Sequence, residues 1–167
     1  MKVQVPQTKK QTVKKARPKR PTEEYCTFVV EVIEWELPYL FSINHDLKYR
    51  PTPYGEYLHL NIKGVLREPK KFDGMEIDVT FMGDRNMIPD INNPDSAIKP
   101  ISLGSVKIRG EHRQFIGSLP HDSLPLIAPM LESKRIQFFH LHGSSLHRCT
   151  ASINSIHFFK NFDPEEW

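Results

Sequence analysis

Alternation of apolar and polar residues with a period of two is the feature that most restricts what this chain can fold into. From Tyr57 to Arg67, Leu58, Leu60, Ile62 and Leu66 point one way and His59, Asn61 and Lys63 the other, the pattern of a half-buried strand. Met75, Ile77, Val79 and Phe81 repeat it, with Glu76, Asp78 and Thr80 on the opposite face. Tyr25 to Glu36 is rich in β-branched and aromatic residues and predicts a long strand. There, Cys26, Phe28, Val30 and Val32 share a face that Glu34 and Glu36 continue, while Ile33 and Trp35 lie opposite. The buried face must therefore switch near Glu31, as it does where a strand bends or bulges. As a carboxylate pair, Glu34 and Glu36 could serve acid–base chemistry, but two acids on one strand face more commonly make a solvated edge.

Leu103–Arg109 and His112–Ser118 predict a hairpin around Gly110-Glu111, a type II′ turn with glycine first, which pairs Val106 with Phe115. The one helical signal is Leu124 to Glu132, with Asp122 or Ser123 as N-cap, Pro125 in the first turn and Pro129 predicting a break or kink. His121-Asp122-Ser123 lists the residue types of a catalytic triad, but adjacency is not triad geometry. Residues 38–55 and 83–102 are expected to be long loops. With about six to eight strands and one helix, the chain predicts a mainly β fold: an antiparallel β-sandwich or partly open β-barrel with one short helical segment.

Charge divides the chain in two. Residues 1–22 hold eight of the 23 Lys/Arg and none of the 20 acids, leaving 15 basic against 20 acidic residues beyond them. The arm is thus +8 and the body −5. Pro6, Pro18 and Pro21 oppose a helix in the arm, which reads as a disordered basic tail preceding a single β-rich domain at 23–167. Lys9, Lys10, Lys14, Lys15, Arg17, Lys19 and Arg20 are the candidate polyanion-binding residues, able to meet phosphates of nucleic acid or an acidic partner surface. Lys14 to Arg20 would also suit a nuclear address in a eukaryotic host.

No apolar run approaches the ~20 residues of a membrane span, and no apolar segment of the kind found in a signal peptide follows the charged start. Cys26 and Cys149 form no disulfide framework, so reduced thiols in an intracellular protein, cytoplasmic or nuclear, are expected.

The densest cluster of chemically versatile side chains lies in Arg135–Asn161. A hairpin turning at Ser144-Ser145 would set His142 opposite His147 and His140 opposite Cys149. The face carrying Ile136, Phe138, His140 and His142 would then pack on the core. Such a set resembles a zinc site of three nitrogens with water or the thiolate completing the shell, although Ser-Ser is not a favoured two-residue turn and a one-residue slip would undo the alignment. No phosphate-binding glycine loop, nucleotide fingerprint or nucleophile elbow occurs. The sequence favours a binding or scaffolding module, its body docking a protein partner and its arm contacting nucleic acid or an acidic surface. The alternative is a zinc-type hydrolase built on His140, His142, His147 and Cys149.

Overall fold

A computed structural model describes residues 25–43, 45, 53–87 and 102–163. The basic arm 1–22, with all its candidate polyanion-binding residues, lies outside them, as do 88–101 of the expected 83–102 loop. The strands are β1 (Tyr25–Glu36), β2 (Tyr39–Ile43), β3 (Tyr54–Glu68), β4 (Glu76–Asp84), β5 (Gly104–Arg109), β6 (His112–Pro120), β7 (Phe138–Ser144) and β8 (Thr150–Phe159), with one α-helix, α1 (Leu124–Glu132). They form one sheet in the order β1-β7-β8-β5-β6-β4-β3-β2, and β1 also pairs with β3. That second pairing closes seven strands into a barrel and leaves β2 outside the ring. The mainly β expectation holds, and of its two architectures the barrel is the one adopted.

Alternation explains the core. Leu58, Leu60, Ile62 and Leu66 of β3 are buried with Ile77, Val79 and Phe81 of β4, as their spacing predicts. Phe81 sits at the centre, with ring centroids 5.3 Å from Phe115 and 5.7 Å from both Phe139 and Phe158. The predicted switch of face in β1 is present as irregularities in its pairing with β3, between Val29 and Val30 and between Val32 and Glu34. Through them Val30, Val32 and Trp35 all reach the core although they differ in parity, and Ile33 is turned outward. The β5/β6 hairpin pairs Val106 with Phe115 and Arg109 with His112, with Gly110 at φ 59°, as expected.

Three expectations fail for identifiable reasons. The sheet is not wholly antiparallel, because β4 runs parallel to β6. Residues 85–103 separate β4 from the β5/β6 hairpin in the chain, so their pairing is a non-local choice that local patterning does not encode. Pro129 neither breaks nor ends the helix, which runs on to Glu132. In so short a helix the proline removes a single bond, to the Pro125 carbonyl, while Leu124 and Leu131 are buried on either side of it. The helix ends by local bonding: Ser133 brings its Oγ to 2.7 Å and its N–H to 3.0 Å from the Pro129 carbonyl. Finally, 38–55 is not simply a connection, since it contains β2.

Candidate interaction site

The C-terminal hairpin has a different register from the one its residues suggest. Its tight turn is Arg148-Cys149, not Ser144-Ser145: His147 and Thr150 exchange both backbone bonds (2.8 and 3.0 Å), and the two central residues have φ 50° and 69°. A two-residue turn with both φ positive is the hairpin geometry that Asn-Gly usually supplies, so neither Arg148 nor Cys149 announces it. Pairing from this turn sets His140 opposite His157 and His142 opposite Ser155.

The face of β7 that packs on the core is also the opposite one. Phe139 and Leu141 fill the core, and Phe138, His140 and His142 lie on the outer face. There His140 Nε2 is 3.0 Å from His157 Nδ1, and His142 Nδ1 is 2.8 Å from Thr27 Oγ1 while its ring stacks on Tyr25. Burial first, then the neighbouring His157 and His142, holds the His140 imidazole below its ordinary pKa. His147 and Cys149 stand at the exposed turn, away from this pair. His140, His142, His147 and Cys149 therefore do not converge, and among the described residues no group of three or more His, Cys, Asp or Glu is placed to hold a metal ion.

The other sequence candidates are engaged elsewhere. Glu34 pairs with Lys63 at 3.5 Å and Glu36 accepts a bond from Asn61 at 2.8 Å, along a groove of about 350 Å³ that Trp35 and Asp78 also line. Ser123 Oγ donates to the Pro120 carbonyl at 2.7 Å, and His121 faces Asp122 and Glu56 instead of the serine.

What the sequence did not single out is a ribbon. β2 pairs antiparallel with the first five residues of β3, from Tyr39 opposite Leu58 to Ile43 opposite Tyr54. One face carries Tyr39, Phe41, Ile43, Tyr54 and Glu56, continuing the interior face of β3 past the barrel; the other carries Leu40 and Tyr57. Tyr39, Leu40, Phe41, Ile43, Tyr54 and Tyr57 are each between 38% and 63% exposed. Phe41 stacks on Tyr54 with centroids 5.4 Å apart, so part of this surface is organised.

The base of the ribbon is tied to the barrel by polar contacts. Glu56 accepts from Arg85 Nε at 2.8 Å and from the Tyr39 hydroxyl at 3.2 Å, and His121 Nε2 approaches it to 3.6 Å. The hydrogen bond from Arg85 is the main reason the Glu56 carboxyl sits below its ordinary range. The one hint in the sequence was the aromatic content of 38–55. Tyr39–Ile43 gives only a weak alternation signal because it is five residues long and Leu40 makes its second face half apolar.

Comparison with protein-family models, with curated proteins and with solved structures finds no match.

Proposed function

We propose that this chain is a non-enzymatic binding module whose body docks a protein partner through the β2/β3 ribbon and whose basic arm, residues 1–22, meets nucleic acid or an acidic surface. The supporting observation is the ribbon itself. Six large apolar side chains stand exposed on a two-stranded extension of a barrel whose core is otherwise complete. Clustered exposed apolar side chains of this kind, rimmed by an ion pair and tyrosine hydroxyls, are characteristic of protein-binding sites. The charge split of +8 against −5 supports a separate electrostatic role for the arm. The zinc-dependent alternative has no comparable support, since its four ligands do not gather. No helix among the described residues is long and apolar enough to cross a membrane.

The two halves of the proposal separate experimentally. Leu40→Asp with Phe41→Asp should abolish recovery of a specific protein partner while leaving the melting transition in place. Removal of residues 1–22 should abolish salt-sensitive binding to DNA, RNA or polyglutamate and leave the protein partner bound. Equal polyanion binding after that removal would refute the role of the arm.

A further inference from the structure

We infer that His140 and His157 form a two-nitrogen chelate for a divalent transition-metal ion, copper(II) or nickel(II), on the outer face of the β7/β8 hairpin. The site lies apart from the ribbon and the arm and does not depend on the role of either.

Register brings the two rings together. His140 is directly opposite His157 in the ladder, and opposed residues share a face. Their facing nitrogens, His140 Nε2 and His157 Nδ1, are 3.0 Å apart, and the ring centroids are 5.0 Å apart. As a hydrogen bond, this contact uses one ring as donor and the other as acceptor. The separation is also that of two nitrogens bound to one metal ion. Bonds of about 2.0–2.1 Å place two ligand nitrogens about 2.9 Å apart at a right angle and about 3.3 Å apart at the tetrahedral angle. The observed spacing lies near the right-angled value, the geometry of copper(II) and nickel(II) with nitrogen and oxygen donors, whereas closed zinc sites are tetrahedral.

The strands need not move to admit the ion. Rotation of the two rings turns a lone pair from each onto a shared point outside the ladder. The proton of the hydrogen bond passes through solvent to the remote nitrogen of its own ring, so both imidazoles stay neutral and no proton is released overall.

Neighbouring rings hold the pair in place. Phe159 lies edge-on to His140 at 5.3 Å and 6.1 Å from His157, and it stacks on Phe138 at 5.9 Å. This wall reduces the side-chain freedom that binding would otherwise have to remove. His142 follows His140 on the same face but commits Nδ1 to Thr27 and its ring to Tyr25. Among the described residues the site therefore has two protein ligands, and water fills the other positions. His157 is exposed, which gives the ion a path from solvent.

Nickel(II) chloride titrated into the full-length, untagged chain tests the site by calorimetry and by imidazole NMR signals. One equivalent should bind, and octahedral nickel(II), being paramagnetic, should broaden the His140 and His157 rings first. His157→Gln changes an exposed residue and should weaken binding at least about tenfold, the low end of what even outer-shell partners of a metal ligand contribute. His140→Gln should do the same. His147→Gln and Cys149→Ser, at the turn, should leave binding unchanged.

Unaltered affinity in His157→Gln overturns the inference and leaves the pair an ordinary hydrogen bond. Affinity lost on His147→Gln or Cys149→Ser overturns it in favour of the turn. Broadening spread evenly over the other histidines overturns it as well.

Discussion

Two hairpins of this molecule are built from similar material and end in opposite circumstances. β7/β8 and β2/β3 are both antiparallel, and both carry stacked aromatic rings. β7 is flanked by β1 along its whole length and β8 by β5 over Thr150–Ile153, so one face of that hairpin is sealed into the barrel. Among the described residues β2 has a strand neighbour on one side alone, and Tyr39 and Phe41 are more than half exposed. Placement relative to the closed ring, more than composition, decides whether an aromatic residue serves stability or remains available for a partner.

Truncation on the two hairpins tests the contrast most strongly. Phe139, fully buried in β7, should lose about 3–5 kcal/mol on replacement by alanine. Phe41→Ala should change stability by no more than ~0.5 kcal/mol, as at sites outside the core. Denaturant titration measures both. Comparable losses would mean that the ribbon is part of the core and would break the comparison.

A smaller effect, of opposite sign, is expected at the turn of the C-terminal hairpin. Arg148 and Cys149 occupy left-handed backbone at φ 50° and 69°, where a side chain with Cβ costs about 1–2 kcal/mol per residue. Arg148→Asn with Cys149→Gly should raise stability by roughly 1–2 kcal/mol in the same titration, because Asn-Gly suits this turn. Unchanged or lower stability would show that the turn is not the one described.

The smallest effect is set by pH. His140 has its folded-state pKa below the ordinary 6.5. As pH falls through 6.5, the unfolded chain takes up a proton that the folded chain resists, and stability declines until the folded imidazole also protonates. Above 6.5 neither state is charged and this contribution is constant. His140→Gln should flatten the acid side of the stability profile. A profile that keeps its slope would assign the titration elsewhere.

Legibility in the sequence followed the same division. Strands whose two faces differ were readable: β3, β4 and the β5/β6 hairpin, down to the pairing of Val106 with Phe115. Elements set by long-range partners were not. The parallel meeting of β4 and β6 leaves no local trace, and β2 is five residues long with its second face half apolar, so its alternation is weak. The histidine cluster misled because register depends on the turn, and Arg148-Cys149 adopts a conformation its residue types disfavour. A shift of the turn by four positions exchanged Cys149 for His157 as the partner of His140, and His147 for Ser155 as the partner of His142. At β1, by contrast, the clash between Trp35 and Glu34 in the apolar pattern correctly signalled an irregularity in pairing.

The double pairing of β1 also sets an order of events during synthesis. Tyr25 to Glu31 must find Phe138 to Ser144, more than a hundred residues later in the chain. Until that strand leaves the ribosome, half of β1 has no neighbour on its β7 side and the barrel cannot close, while the β2/β3 ribbon can already form from adjacent sequence. Such dependence on distant pairings places folding on the slow, millisecond-to-second side of small domains. The nascent chain would thus expose Tyr39, Leu40 and Phe41 of the ribbon before its core exists, so the incomplete barrel on the ribosome presents more apolar surface than the finished one.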